Sequence, residues 1–414
     1  MIKVLHLSGS DINGGAARAA YRIHRSFLQI DEVDSRMLVM GKASGDWRVS
    51  QVGGPKGLIK KLLWGKLHSI ISRFWMRGRM PEDGIFSCQL LSYPGLLDQI
   101  NQSDADLVHL HLIAAGMLKV EAIAKIKKPI VWTFHDMSAM TGGWHYQGDP
   151  NLREQEQAFD KQNRKGIERR LKAWKDLNLH LVCPSQWLAQ ETRESAVFEG
   201  KQVEHIPYAI NEKSFQPHDR AIARGMMGLP EEGRYLCYTA MSATSDKRKG
   251  YAHLKEVLKL IGGLPAGERE GWRLLIVGAD EPEVLEDMGL PVHYLGTLRD
   301  DASLALAYSA ADVFIAPSRQ DNLPNTVIES LSCGTPVVAF DIGGMPDMIT
   351  HQETGFLAEP YRAEQLLEGI RWVLSHEDQE SLRKRCRKAA REKFDEAQVA
   401  SAYGSFYRSV LNQG

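Results

Sequence analysis

Asp321 and Glu329 are two carboxylates eight positions apart in PSRQDNLPNTVIE, and SLSCGTPVVAFDIGG follows at once. Each ionised carboxylate can accept a hydroxyl hydrogen on either oxygen, so such a pair suits the hydroxyls of a sugar. Pro324 can sit in the first turn of a helix, where a missing N–H costs nothing. The backbone N–H groups of Asn322, Leu323, Asn325 and Thr326 then gather at a helix N-terminus, which favours an anion. From inside that helix Glu329 could reach a ribose diol, and Asp321, in the loop before it, a hexose hydroxyl. The same spacing also fits a solvated aspartate and a glutamate responding only to the helix dipole.

Four other segments carry polar or basic residues where a ligand could use them. Ser245–Gly250, SDKRKG, is a basic turn before a helical pattern. Asn13-Gly14-Gly15 follows the first strand; glycine lets a backbone approach a ligand, though a tight strand-to-helix turn needs it equally. It is not GxGxxG, so no dinucleotide fingerprint is present. In WTFHDMSAMTGGWHY, His135 and Asp136 end a buried strand, where open α/β sheets place ligands. Asp136 can contact an acceptor or orient His135, and Trp144, His145 and Tyr146 offer either a stacking surface for a sugar or core. Lys56–Met80 carries Lys56, Lys60, Lys61, Lys66, Arg73, Arg77 and Arg79, with apolar residues near helical spacing and no acid. That pattern fits a membrane-surface helix or a helix packed on its domain with a basic outer face. His109 and His111 alternate along a strand with no third ligand in view, so they read as strand residues and no metal site is assigned.

The elements that must hold these residues alternate along the chain. Strands are expected at Lys3–Leu7, Arg36–Met40, Leu107–Leu112, Ile130–Phe134 and His180–Cys183. Helices are expected at Ala16–Leu28, Ala114–Ile126, Gly166–Asp176 and Ser185–Glu194. PYAINEKSFQP, Pro207–Pro217, breaks the pattern as a linker. Strands then recur at Tyr235–Thr239, Leu274–Val277, Val292–Leu295, Val313–Ala316 and Val337–Phe340. The matching helices are Gly250–Ile261, Ala302–Ala310, Asn325–Ser332 and Ala363–Ser375. Apolar strands alternating with helices imply parallel sheets covered on both faces. The fold class is therefore α/β, with two doubly wound Rossmann-like domains, 1–206 and 207–393, and a cleft between them as the ligand site. Residues 394–414 form a last helix able to cross back to the first domain.

Composition agrees with a globular chain of this kind. Of 414 residues, 43% are hydrophobic and 25% charged, and a formal net charge of −1 gives no reason to expect nucleic acid. The five cysteines show no paired or zinc-ligand spacing, which suits a reducing cytoplasm. No signal peptide and no apolar run long enough to span a bilayer are read, so membrane contact would be peripheral.

The run from Pro317 through Asp321, Glu329, Gly334, Pro336, Gly343, Gly344 and Pro346 resembles the Glu-x7-Glu region of retaining GT-B glycosyltransferases of family four. Asp321 stands where that family usually has Glu. The resemblance, strongest to members that build bacterial surface polysaccharides, implies a nucleoside diphosphate sugar donor, a glycan or lipid-linked acceptor, and no metal or other cofactor. It implies that Glu329 holds the nucleotide ribose and Asp321 the donor hexose. Lys249 matches the lysine that meets the donor diphosphate. Ala243 stands where many members have Arg, which leaves Lys247 or Arg248 to compensate. Gly14 and Gly15 would face the donor phosphates, and His135 would support the donor sugar. Asp136 and Trp144 would lie on the acceptor side. Two alternatives stay open at this point: a nucleotide-sugar epimerase, and a non-catalytic sugar-nucleotide-binding subunit of a polysaccharide assembly complex.

Overall fold

A computed structural model describes residues 1–54, 58–78, 80–82, 85–113, 116–239, 246–278 and 289–412. The chain divides into two compact units, Met1–Ala209 with Glu396–Gly414, and Ile210–Asp395.

In the first unit the strands are β1 (Ile2–Ser10), β2 (Val33–Gly41), β3 (Val49–Gln51), β4 (Leu107–Leu110), β5 (Ile130–Thr133), β6 (Leu179–Cys183) and β7 (Val203–His205). They pair in the order β3-β2-β1-β4-β5-β6-β7, every neighbouring pair parallel. β4, β5 and β6 are buried at every residue, as a sheet covered on both faces requires. The register sets His6 of β1 beside His109 of β4. The closing helix Glu396–Asn412 packs here, with Tyr403 and Tyr407 fully buried against Phe27.

The second unit holds β8 (Arg234–Thr239), β9 (Trp272–Val277), β10 (Val292–Tyr294), β11 (Val313–Ala316), β12 (Val337–Phe340) and β13 (Gly355–Ala358). Their order is β10-β9-β8-β11-β12-β13, again parallel throughout. The sheet order reverses between β8 and β11, and the acidic loop follows β11 directly.

The helix Asn325–Ser332 has the bounds expected of it. β3, β7 and β13 were not foreseen. They are three or four residues long, too short for a period of two to show, and the first two run through polar Ser50, Gln51, Glu204 and His205. The expected helix Ala114–Ile126 is regular only over Val120–Ile123; its first two residues lie outside the described residues.

Candidate active site

In the second unit, the chain leaves β11 and reaches the helix Asn325–Ser332 through the loop carrying Asp321. Pro324 is the N-cap residue, with φ −63°, one position before the first turn where its missing N–H was expected. Proline offers no side-chain cap, and in the loop before it Asn322 N donates to Asp321 Oδ1 at 3.0 Å. Asn322, Leu323 and Glu329 are buried, while Asn325 and Thr326 are half-buried at the helix start.

Lys249 Nζ lies 2.6 Å from Asp321 Oδ2. Backbone close packing makes that contact possible. A Cβ on Gly250 would fall 1.7 Å from the Pro317 carbonyl oxygen, and one on Gly343 would fall 2.0 Å from that of Asp321. Both glycines have positive φ, 73° and 51°, so a side chain is excluded by sterics and by backbone conformation alike. Arg319 N donates to Arg248 O at 2.7 Å, closing the basic turn onto the acidic loop. Arg248 itself turns back to Asp246, Nη2 to Oδ2 2.7 Å, and Lys247 is exposed. Ala243 and Ser245 lie outside the described residues.

Glu329 is 2% exposed and accepts a hydrogen bond from the Tyr308 hydroxyl at 3.0 Å. Burial, and then the Glu329 charge, push that hydroxyl's pKa well above the ordinary tyrosine value, so it stays a donor.

In the first unit, Gly14 is the N-cap of the helix Gly15–Ser26, at φ 103°, which a side chain would strain. The loop before that helix is held by Asp11, which sequence reasoning missed. Its fully buried carboxylate accepts from the N–H groups of Ile12, Ala43 and Ser44. Burial opposes its charge, but the Ser44, Ala43 and Ile12 bonds outweigh it and lower the pKa.

His135 and Asp136 diverge. His135 turns inward: its Nδ1 is 2.7 Å from the Tyr208 hydroxyl, and its Nε2 is 3.1 Å from His111 Nδ1. Burial lowers its pKa to about 4, against the pull of Asp136. Asp136 turns the other way. Its Oδ2 is 2.7 Å from His145 Nδ1, whose Nε2 is 2.7 Å from Ser87 Oγ. Asp136 Oδ1 also accepts from Ser138 N at 2.8 Å. Burial opposes the charge of Asp136; His145 and Ser138 overcome it and hold the carboxyl at about 2. Ser87, His145 and Asp136 thus stand as hydroxyl, base and carboxylate. The nearby N–H groups that could cradle an oxyanion are already engaged: Ser87 N by Gly143 O, Gly143 N by Thr141 Oγ1, and Gly142 N by Asn163 Oδ1. Buried Arg170 braces this loop through the carbonyls of Gly142 and Ser138. Neither Ser87 nor Arg170 carried a sequence signal.

Trp144 is a correction. It is 1% exposed and packs edge-on to Phe86 and Phe159, so it presents no face to a sugar. Tyr146, half-buried, stacks on Trp187 instead. His109 of β4 and His111 just beyond it have more company than their spacing revealed. His6 of β1 supplies the missing third ring, and His6, His109 and His111 offer nitrogens within 4.8 Å of one another. That is a set of the size a metal needs. Both nitrogens of His109 are nevertheless hydrogen-bonded, to Tyr407 and Thr133 at 2.7 Å each. Both of His111 face other histidines.

Comparison with known proteins follows the same two-unit division. The model for Glycosyltransferase Family 4 matches residues 71–214, and that for Glycosyl transferases group 1 matches 232–393. Sucrose-phosphate synthase from Thermosynechococcus elongatus aligns with a TM-score of 0.70 at 18% identity, over all of both chains. Anabaena HepE, solved with UDP-glucose, aligns at 0.64 and 15% identity, over 99% of this chain and 100% of that one. The fold is that of the GT-B glycosyltransferases.

Curated relatives similar in sequence include D-inositol 3-phosphate glycosyltransferases. That of Mycobacteroides abscessus is 25% identical over 279 residues, 64% of this chain and 57% of its own. That of Mycobacterium leprae is 25% identical over 267 residues, 61% and 56%. The chain spans a little over half the length of these relatives. WaaG, a glycosyltransferase involved in lipopolysaccharide biosynthesis, shares the GT-B fold at a TM-score of 0.63 and 16% identity, over 97% of this chain and 99% of that one. Within this fold the Lys249–Asp321 pair and Glu329 belong to the group 1 match, and His135 with Asp136 to the family 4 match.

Proposed function

We infer that the protein is a retaining glycosyltransferase that moves a sugar from a nucleoside diphosphate sugar to a glycan or lipid-linked saccharide in surface polysaccharide biosynthesis. The observation that carries this reading is the Lys249–Asp321 contact at the start of the helix that bears Glu329. A cation at a helix N-terminus suits a departing diphosphate, where charge develops as the glycosidic bond breaks. Glu329, with Tyr308 holding one oxygen, binds the ribose, and Asp321 binds the hexose. The acceptor oxygen bonds to the anomeric carbon as the bond to the diphosphate breaks. The diphosphate leaves on the same face with the electron pair and takes the acceptor proton. In this reading Lys249 and the helix amides supply the positive charge, so transfer needs no metal ion and should survive EDTA.

The UDP-glucose bound to HepE supports a nucleotide-sugar donor. The mycobacterial relatives are named for an inositol phosphate acceptor, so D-inositol 3-phosphate belongs in the acceptor panel beside saccharides. The deciding experiment is a thermal-shift panel of nucleoside diphosphate sugars, followed by transfer assays with the donor that binds. A bound donor raises the melting temperature by mass action. No shift with any donor would overturn the reading.

A peripheral contact with the cytoplasmic face of the membrane goes with a lipid-linked acceptor. In the helix Leu58–Trp75, Trp64 anchors one face through a hydrogen bond from Nε1 to Gly116 O. The outer face exposes Leu62, Leu63, Ile70 and Phe74, with Lys66 and Arg73 among them. Apolar groups framed by cations suit an anionic lipid surface. Lys56 and Arg79 lie outside the described residues. Flotation with anionic vesicles should be lost in Leu63→Glu with Phe74→Glu, and unchanged flotation would sink this part. No described helix is long and apolar enough to cross a membrane.

A further inference from the structure

Four rings from separate strands and their exits form a line beneath the first unit's candidate site. His6 Nδ1 is 3.0 Å from His111 Nε2, His111 Nδ1 is 3.1 Å from His135 Nε2, and His135 Nδ1 is 2.7 Å from Tyr208 Oη. The ring planes of His6 and His111 are within 12° of parallel, and those of His135 and Tyr208 within 27°, with centroids 5.3 and 5.4 Å apart. All four residues are buried.

The distances give the pairs but not the protons. Burial keeps the rings neutral: the pKa of His6 and of His111 is lowered well below the usual histidine value, and that of His135 to about 4. A neutral imidazole has one N–H, so each ring donates at one nitrogen and accepts at the other. Fixing one proton then fixes the line, and two orders are available. In one, Tyr208 donates to His135, His135 to His111 and His111 to His6, which leaves an N–H on His6 Nε2. In the other every bond reverses and His6 Nε2 is a bare lone pair. His6 Nε2 is buried with no hydrogen-bond partner among the described residues. A ring N–H at His6 Nε2 is fixed in direction and would stay orphaned, whereas the Tyr208 hydroxyl can rotate its proton to suit its surroundings, so the second order prevails.

We propose that His6 and His111 are positioning residues that hold His135 as its Nδ1–H tautomer, through this ordered line ending on Tyr208. His135 then gives its only proton to Tyr208 and receives one from His111. The Tyr208 hydroxyl, accepting from the ring, turns its own proton away from it. The dead end at His6 thus sets which atoms are donors at the candidate site, without touching a ligand.

The tautomer order rests on the structure alone; its effect on transfer rests on the glycosyltransferase reading. Long-range 1H–15N correlation on 15N-histidine-labelled protein reads each ring directly. Wild type should show His6, His111 and His135 all as Nδ1–H. His111→Leu cuts the line and should shift His135 to a mixture or to Nε2–H. His111→Asn, whose amide can place a donor near the lost Nδ1–H, should restore it. With the donor found by thermal shift, kcat should fall about tenfold in His111→Leu with donor KM unchanged, and recover in His111→Asn. An Nε2–H tautomer at His135 in wild type, or one unmoved by His111→Leu, overturns the proposal. If His111→Leu does not fold, the wild-type spectrum still decides. Absence of transfer in wild type would count against the functional reading and leave the tautomer result standing.

Discussion

The two units build their candidate sites from opposite materials. The second uses formal charge on a short loop: Lys249 against Asp321 at 2.6 Å, with Glu329 one helix turn into Asn325–Ser332. Around His135 the first uses neutral rings and a hydroxyl, with His135 hydrogen-bonded to His111 and Tyr208, while the one charge beside it, Asp136, is taken up by His145 and Ser138. A partly exposed cation can answer charge that appears during a reaction. A buried neutral line can only hold geometry and donor order. The second unit is therefore the place where electrostatics should matter, and the first the place where shape and protonation should.

The sharpest way to break that contrast is to remove charge while keeping shape. Lys249→Met should lower kcat about 10²- to 10³-fold, the loss typical of one preorganised donor to developing charge. Donor binding, read by thermal shift, should weaken less. A variant that transfers at the wild-type rate would place the essential cation elsewhere.

The same contrast explains what the sequence reveals. Asp321, Pro324, Glu329 and the helix Asn325–Ser332 lie within twelve consecutive residues, so spacing and helix rules describe them together. Lys249 needed only one long-range contact, which two glycines hold. The first unit's line joins residues 6, 111, 135 and 208, brought together by the parallel order β1-β4-β5 and by the chain leaving β7. No local period encodes that, and His6 offered no signal of its own. Ser87 reaches His145 only because Phe86 pairs with Trp144 across a bridge. That bridge also buries Trp144, whose neighbours in sequence suggested a surface for sugars.

A second test uses pH. His6, His24, His109, His111 and His135 are held neutral by burial, all with lowered pKa values. Unfolded, each would titrate near 6.5, so the unfolded chain binds more protons below that pH and stability rises with pH there. Their contribution is complete above about pH 6.5 and is lost as pH falls towards the folded values. For His24 and His135, each lowered to about 4, the full loss is about 3 kcal/mol per ring. Asp136 adds a later loss, between its unfolded value near 3.8 and about 2. Hydrogen exchange at pH 5 should show protection falling first in β1, β4 and β5, with β11 and β12 retained longer. Equal protection at pH 5 and 7.5, or earlier loss in the second unit, would remove the claimed difference between the two.

The smallest effect concerns Asp321, where the resembling family has Glu. In the second unit a charge can be moved without being removed, which separates its position from its sign. Asp321→Glu keeps the carboxylate but extends it by one methylene towards Lys249. The Lys249 side chain is 28% exposed and has room to withdraw, whereas the loop backbone is pinned by Gly343 and cannot. Lys249 therefore yields, and both the longer carboxylate and the displaced Nζ change the space where the hexose hydroxyl would sit. Stability should change by less than about 1 kcal/mol, because the ion pair persists and no buried apolar contact is lost. Donor preference should change instead, since one methylene in a binding pocket commonly shifts discrimination about tenfold or more. A donor panel whose rank order is the same in both proteins would separate Asp321 from sugar choice and leave it only the task of holding Lys249.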